Sequence, residues 1–477
     1  MHDTTISARR SRARRLRLLL SLSPLLLSAC ASLSPDGGLS PLESTARQQL
    51  NAELQLARTP QDQDRIARRV AELLAQPLSA DSAVQIALLN NRGLQASFQS
   101  LGIADAERVQ ASRLPNPGLR IARLQRGDER ESERSVGLDL GALLSLPLRR
   151  QQGQERLTAV QRGVALEMLS LAGETRKAFY QAVAAEQTAS YRRDAREAAQ
   201  AGAELARRMH QAGNWSALDQ AREQGFLAEA QLNVLLADAA KASARERLIR
   251  LMGLGVGQAL PSLPARLPDL PAQLEERPDI EQQALQSRLD LQAAKAQVAA
   301  SASSLGLSKV TRFVNVLELD LKHNSASDAP RQTGFEIGFE IPLFDWGEAR
   351  VARAEAQYLQ DAHRAAQIAI EARSEVREAY QGYHTAHELA RHYRDELLPL
   401  ARRVSEENLL RYNGMFIGVF ELLADARTQI ATVSASIEAL RDFWIASADL
   451  DMALIGRPSL TPLDRPASAE TPEGRAH

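Results

Sequence analysis

The sequence contains a single cysteine, Cys30, among 477 residues, so no disulfide can form within the chain. It also lacks an excess of charge of either sign: 58 basic and 59 acidic side chains give a formal net charge of −1. This balance excludes the broad basic field with which proteins attract nucleic acid, and we expect no nucleic-acid partner. Aromatic residues are only 4% of the chain, which is few for a membrane barrel with aromatic girdles.

Long hydrophobic runs are absent beyond the first thirty residues, because Arg, Glu, Gln or Asp interrupts every apolar stretch. A membrane-spanning helix needs about 20 apolar residues, so a chain of this kind can cross a membrane only with strands. Catalytic motifs are absent as well: we find no Gly-rich phosphate loop, no HExxH and no paired nucleophile and base. We therefore predict a protein that is not an enzyme and that binds no cofactor.

The amino terminus has the order of a bacterial lipoprotein signal. Six arginines precede the short apolar run 18–27, which ends in Leu27-Ser28-Ala29-Cys30. We predict a signal peptide over 1–29 and lipidation of the Cys30 thiol; an ordinary free thiol is the alternative. Ala31 and Ser32 follow instead of an aspartate, which in such lipoproteins favours release to the outer membrane. Within 30–80, a lipid-anchored tether and equatorial segment, the Gly- and Pro-containing residues 31–43 are predicted to be flexible.

Two copies of one plan follow, over 81–253 and 277–456, separated by a linker at 254–276. Each copy reads as a helix, two short strands and a long helical stretch that glycine interrupts once. The anchors of this alignment are Asn91-Arg92-Gly93-Leu94 with Arg277-Pro278-Asp279-Ile280, Leu146-Pro147-Leu148 with Ile341-Pro342-Leu343, and Gly213 with Gly414. Residues 457–477, which contain several prolines, are predicted to be a disordered tail.

The strands show alternation with period two. In the second copy Phe335, Ile337 and Phe339 alternate with Glu336 and Gly338. The other strands alternate less regularly, and the first hairpin is rich in arginine, which would place positive charge in a lumen or an external loop. Each strand has about the length that crosses a bilayer when tilted.

The long helical stretches carry a seam of small residues at alternating steps of three and four, typical of a coiled coil. In the second copy its members are Val351, Ala354, Tyr358, Ala362, Ala365, Ala369, Ala372, Val376, Ala379 and Tyr383. An arm of ~60 residues would be ~90 Å long at 1.5 Å per residue, too long for a small globule.

Four membrane-length strands leave two open edges, and each unpaired backbone group in lipid costs several kcal/mol. Several copies are needed to close the sheet. Three copies supply twelve strands, enough for a barrel with a lumen.

The ordered set of features resembles the outer-membrane factor (TolC-type) family. The lipobox, the two tandem units, Arg277-Pro278-Asp279-Ile280, the exit from Pro342 to Gly347 and the turn Tyr412-Asn413-Gly414 carry the resemblance, which covers about 81–456. It implies a mainly α fold with a membrane β part: long α-helical hairpins plus four β-strands per chain, completing a 12-stranded β-barrel as a homotrimer. It also implies a passive efflux conduit in the outer-membrane lipid that works with a periplasmic adaptor and an inner-membrane pump. A lipid-anchored periplasmic coiled-coil scaffold or adaptor is the alternative.

In that family the glycine breaks lie at the periplasmic tip, and acidic residues beyond them narrow the entrance. The matching candidates for the gate are Asp219, Glu223, Glu421 and Asp425. The candidates for adaptor contact are Gly213, Trp215, Gly414, Met415, Phe416 and Ile417. Acids occur on any exposed helix, and the apolar residues of the second turn could equally pack against a neighbouring hairpin, so both alternatives stay open.

Three histidines, His384, His387 and His392, cluster on one predicted helix. The spacing of the first two would suit a metal pair, but no acid or cysteine completes the site. We interpret them as surface histidines and predict no metal site.

Overall fold

The computed structural model describes residues 32–255, 258, 261–274, 276–312, 316–341 and 343–461. The predicted signal peptide, Cys30, Pro342 and the tail from residue 462 onward lie outside the described residues.

Two helices precede the first copy of the repeat: α1 (Ser40–Leu50) and α2 (Pro60–Leu74). The first copy is built of two short helices, a β-hairpin and two long helices. These are α3 (Ala80–Asn90), α4 (Arg92–Ser112), β1 (Gly118–Arg126), β2 (Glu129–Asp139), α5 (Leu140–Gln211) and α6 (Ala217–Met252).

The second copy repeats this order, which confirms the predicted fold class of long helices and four strands. Its elements are α7 (Ile280–Ser287), α8 (Leu289–Val310), β3 (Leu317–Ala326), β4 (Gln332–Phe339), α9 (Glu348–His392), a π-helical turn (Tyr393–Leu397), α10 (Leu398–Asn413) and α11 (Val419–Ile455). Of the helices in the described residues, none is both long enough and apolar enough to cross a membrane.

The chain divides into two compact units. The sheet unit consists of the described residues up to Ser40 together with Gln99–Arg162 and Gln292–Ala366. The helical unit consists of Pro41–Phe98, Gly163–Leu291 and the described residues from Gln367 onward.

The main core of the helical unit lies around Phe179 and Tyr180 of α5, which pack with Ile86, Leu248 and Ile437. Small residues line the helix contacts, because a short side chain lets two helix backbones approach closely. The burial of the seam residues confirms the seam predicted for the second copy. Ala372, Val376 and Ala379 are buried, and the seam positions from 351 to 369 are half-buried.

The residue of the second copy that corresponds to Asn91 is not the one predicted from the sequence. Asn91 separates α3 from α4 with φ −65° and ψ 117°, and Arg288 separates α7 from α8 with φ −60° and ψ 122°. Both side chains donate to carbonyls near the end of a long helix: Asn91 to Leu251 and Arg288 to Ala453. The alignment of Asn91 with Arg277 is therefore wrong by one short helix. The prediction failed because the shared feature is a backbone bend held by residues about 160 positions away.

Prolines also act differently from the prediction. Pro147, which the sequence alignment pairs with Pro342, lies inside α5, which begins directly after β2 at Leu140. In the second copy the helix begins only at Glu348, and a π-helical turn just before Pro399 interrupts it later. Proline removes one backbone donor and crowds the preceding turn, which accounts for an interruption at that position.

Segments predicted to be irregular have defined contacts. The predicted flexible tether is, over its described residues, a turn followed by α1: the Ser34 backbone nitrogen donates to Asp105 Oδ2 at 2.7 Å. In the predicted linker, Leu267 and Leu270 are buried. The first residues of the predicted disordered tail are bound as well, since Lys177 Nζ lies 2.7 Å from the Ser459 carbonyl.

Candidate functional site: the sheet faces and the helix turns

The four strands form one antiparallel sheet in the order β1-β2-β3-β4, with β1 and β4 at its edges. Residues directly opposite each other in an antiparallel pair point to the same face, so the register assigns every strand residue to one of two faces. One row across the whole sheet joins Leu119, Val136, Leu321 and Phe335.

The face that contains this row is apolar over the half of the sheet nearest the start of α5; we call it the apolar face. The next rows toward α5 are Leu138 with Leu319 and Ile337, and then Leu317 with Phe339. These side chains are not covered within the chain: Phe335 is 72% exposed and Leu119 is 68% exposed. Exposed apolar area of this extent is rare on a monomeric soluble protein and marks a surface that contacts a partner or lipid.

The opposite face, which we call the charged face, carries all of the acidic residues of the strands. They are Glu129, Glu131, Glu133, Asp139, Glu318, Asp320 and Glu336. Two basic residues of this face pair with them: Arg120 lies 3.2 Å from Asp320 and 3.4 Å from Glu318, and Lys322 forms an ion pair with Glu336.

Gly137 makes room for the buried Asp320 carboxylate. A Cβ atom at residue 137 would lie 2.7 Å from Asp320 Oδ1, which is closer than real contacts allow. The predicted alternation of apolar and acidic residues in β4 is therefore part of a two-faced sheet. The ion pairs of Arg120 join β1 to β3, two strands that sequence reasoning had not brought together.

The first helix turn, between α5 and α6, ends α5 with Gly213 in the left-handed conformation at φ 76°. The backbone nitrogens of Gly213 and Asn214 donate to the His210 and Met209 carbonyls, the hydrogen-bond pattern of a Schellman ending. The Ser216 hydroxyl then caps α6 by accepting from the Asp219 nitrogen. Glycine at residue 213 thus has the conformational role predicted for it, and Trp215 lies beside it half-buried.

The second turn, between α10 and α11, uses a different residue. Met415, not Gly414, takes the left-handed conformation, with φ 60°. The Met415 and Phe416 nitrogens donate to the Tyr412 and Arg411 carbonyls, so the same ending is shifted by one residue. A Cβ atom at residue 414 would lie 2.8 Å from the Phe416 ring, so a larger residue there would have to displace this exposed ring.

Two of the three apolar residues in the second turn, Met415 and Phe416, are exposed to solvent. Met415 is 93% exposed and Phe416 is 84% exposed, while Ile417 is half-buried. A long thioether and an aromatic ring at an exposed turn form an adaptable apolar contact surface.

The four acids proposed for a gate have different environments. Glu223 is 1% exposed, and its Oε1 atom accepts from Arg427 Nη2 at 2.6 Å. Arg427 also lies over the Phe226 ring, 4.3 Å from its centroid. Sequence reasoning missed Arg427, because its partner lies on a different helix 204 residues away.

The other three acids are more accessible. Asp219 is half-buried, with its Oδ2 atom 2.7 Å from the Ser216 hydroxyl. Asp425 is half-buried, and its Oδ2 atom is buried without a hydrogen-bond partner in the described chain. Glu421 is exposed in the first turn of α11. Of the four, Glu421 is the carboxylate most open to solvent.

The histidines do not form a common site. The interpretation of all three as surface residues is wrong for His387, which is 3% exposed and has its Nε2 atom 2.9 Å from the Pro271 carbonyl. His384 packs edge-on against Tyr380, and His392 is exposed. Over the residues that the structure describes, no group of three or more His, Cys, Asp or Glu side chains could hold a metal ion.

Comparison with solved structures identifies the class of fold. The chain resembles a membrane protein from Pseudomonas aeruginosa with a TM-score of 0.68 at 20% identity, covering 79% of this chain and 92% of that one. It resembles CusC, described in terms of transmembrane channel formation, with a TM-score of 0.65 at 18% identity and the same coverage. The chain therefore shares the fold of these solved structures.

The sequence comparisons are consistent with this class. Residues 280–442 match the family described as "Outer membrane efflux protein". The "Cobalt-zinc-cadmium resistance protein CzcC" of Cupriavidus metallidurans is 25% identical over 315 residues, which are 62% of this chain and 71% of that protein. Over residues 280–442 the chain is thus similar to the outer membrane efflux protein family. The matched family is described as one of efflux proteins and not of enzymes, which confirms the prediction that the chain is not an enzyme.

Proposed function

We propose that three copies of this chain form an outer-membrane channel that passively conducts solutes from a periplasmic adaptor and an inner-membrane pump to the outside. Each copy is anchored by lipid on Cys30. The chain contributes a conduit and no chemistry of its own, and an outer-membrane location is supported by its relatives.

The observation that carries the proposal is the two-faced sheet with its two open edges. An exposed apolar face suits lipid, and a charged face with ion pairs suits a water-filled lumen. The edge strands β1 and β4 would be unsatisfied in lipid, so the sheet must continue into further copies of the chain. Three copies give the twelve strands proposed for the trimer.

The exposed Met415 and Phe416 side chains support the second turn as the contact for a periplasmic adaptor. The acids near both turns would then lie near the entrance, where a ring of carboxylates favours cations. The name of the relative CzcC refers to cobalt, zinc and cadmium resistance, so we propose divalent metal cations as the first cargo to examine.

The experiment is single-channel recording of the purified, lipidated protein in a planar bilayer, with its oligomeric state measured in the same preparation. We expect a trimer with discrete, cation-selective conductance steps. A Cys30→Ala variant is the matched control: it should lose outer-membrane anchoring by lipid but keep the conductance once it is reconstituted. A stable monomer without conductance would contradict the proposal and would favour a periplasmic scaffold instead.

A further inference from the structure

The distribution of arginine in the first hairpin sets the two faces apart. Arg123, Arg130 and Arg134 point to the same face as Leu119 and Val136, as the β1–β2 register requires. No acidic strand residue points to that face. The apolar face therefore ends, toward the hairpin turns, in a basic surface; we call these three residues the arginine rim.

The arginine rim differs in its bonding from Arg120 and Lys322, the two ion-paired basic residues of the charged face. Arg120 and Lys322 are neutralised by acids of neighbouring strands. The three rim side chains are exposed, and the described part of the chain provides no ion-pair partner for any of them. An unpaired guanidinium group on a surface without acidic residues can form charge-assisted hydrogen bonds with an anion from outside the chain.

The position of the rim along the strands fits a membrane boundary. Along β4 and the residues after it, exposed apolar side chains extend from Phe335 to Ile341, about 20 Å at ~3.3 Å per residue. The row that contains Arg134 lies two residues beyond Phe335, so it falls at the edge of an apolar band of about 25 Å. An arginine facing lipid costs ~2–4 kcal/mol at the midplane but ~0–1 kcal/mol near the interface, which places the rim at the head groups.

The rim is also fixed in spacing. Arg134, Arg123 and Arg130 occupy three successive rows of the apolar face, so their Cα atoms step along the strands by about 6.6 Å per row. The start of β2 is held in place because Arg130 N donates to the Ser327 hydroxyl at 3.0 Å. Guanidinium groups bind phosphate with two parallel hydrogen bonds, and three of them at this spacing can serve one head group with more than one phosphate.

We propose that the arginine rim binds the phosphate groups of the phosphorylated glycolipid in the outer leaflet of the outer membrane. The inference rests on the proposed function, since it takes the helices to be periplasmic and the hairpin turns to be external. The positive charge of the rim is complementary to an anionic lipid, and no acidic strand residue on the same face would repel that lipid. The acidic residues lie on the charged face, which faces the lumen in the proposed channel.

The test uses the full trimer in nanodiscs that contain a bisphosphorylated lipid A, phosphatidylglycerol and phosphatidylcholine, with lipids retained per trimer counted by native mass spectrometry. We expect lipid A to be retained preferentially. The variant Arg123→Gln/Arg130→Gln/Arg134→Gln should lower the affinity for lipid A by about tenfold or more, because it removes the charge-assisted hydrogen bonds to the phosphates.

Two single variants provide a matched pair. Arg123→Gln and Arg126→Gln each remove one exposed arginine from β1, but register puts residue 126 on the charged face. Arg123→Gln should lower lipid A retention and Arg126→Gln should leave it unchanged. These single variants also decide the matter if the triple variant does not insert.

Three results would overturn the inference: unchanged lipid A retention by the triple variant, an equal loss from Arg126→Gln, or equal retention of phosphatidylglycerol and lipid A by the wild type. Channel recordings of the same samples separate this inference from the proposed function. A rim variant that conducts normally yet loses lipid A supports the rim, whereas a wild-type protein that never conducts contradicts the channel itself.

Discussion

The Glu223 carboxylate on α6 is bonded to the Arg427 guanidinium on α11, with Oε1 2.6 Å from Nη2. Glu223 is buried and Arg427 is half-buried, and the pair joins α6 and α11, the helices that follow the two turns. Removing one partner of a buried ion pair leaves an uncompensated charge, which costs far more than the pair itself contributes.

We predict that Arg427→Met destabilises the packing between α6 and α11 by about 3 kcal/mol. Hydrogen exchange of amides in 217–230 and 419–430 should become roughly 100-fold faster, since every 1.4 kcal/mol is about a factor of ten. The double variant Glu223→Gln/Arg427→Met should recover most of the protection, because no charge is then left buried. Arg222→Met is the control, as its 3.5 Å contact with Asp219 is largely exposed.

A buried arginine secures the junction between the two short helices of the second copy. Arg288 is 1% exposed and its Nη2 atom lies 2.6 Å from Asp290 and 2.7 Å from Glu375. Arg288→Met should destabilise the protein by roughly 3–5 kcal/mol, because two carboxylates lose their shared partner. Thermal unfolding followed by circular dichroism measures the effect.

The control for Arg288 is Arg373→Met. Arg373 contacts Glu281 at 3.4 Å, but its side chain is 59% exposed, and surface pairs of this kind contribute less than about 1 kcal/mol. Equal losses from the two variants would contradict the role given to the buried network.

These two networks mark the limit of prediction from sequence. The order of elements, the small-residue seam and the alternation of β4 are local patterns of period 3.5 and 2, so they could be recognised without coordinates. The pairing of Glu223 with Arg427, the bend at Arg288 and the burial of His387 each depend on a residue more than 80 positions away. No local pattern carries that information.

The arginine-rich hairpin is an intermediate case. Its arginine content could be recognised in the sequence. The two predicted locations for these arginines, a lumen or an external loop, left out the apolar face of the sheet. Arg123 and Arg120 lie three residues apart on β1 and therefore face opposite sides of the sheet, which only a definite strand register establishes.

The left-handed residue of the second turn gives a prediction for stability. A residue with a Cβ at positive φ costs roughly 1–2 kcal/mol, so Met415→Gly should raise the unfolding free energy by about 1 kcal/mol. Gly213→Ala should lower it by a similar amount at the first turn. If Met415→Gly is destabilising instead, the exposed thioether has a packing role within the chain. Chemical denaturation of both variants provides the comparison.

The turn before α1 predicts a pH dependence. A hydrogen bond from the Ser40 hydroxyl, with others from backbone nitrogens, lowers the pKa of Asp36 to about 2 from its usual 3.8. The folded state thus binds the proton more weakly than the unfolded state, so the stabilisation is complete above about pH 4 and is lost as the pH falls toward 2. Asp36→Asn should remove roughly 1 kcal/mol of this dependence, allowing for partial exposure. Melting temperatures of both proteins at pH 6 and pH 3 test the sign.

The pairing of Glu223 also separates the four acids proposed for the entrance. An ion about 10 Å from one carboxylate in water-like surroundings gains ~0.4 kcal/mol, close to a twofold preference. On the hypothesis that three copies gather these acids into rings, Glu421→Gln/Asp425→Asn should lower the cation-to-anion permeability ratio at least about twofold. Glu223→Gln should change it less, because Arg427 already neutralises that carboxylate. Reversal potentials in a salt gradient measure the ratio, and an unchanged ratio after neutralising all four acids would exclude them from the entrance.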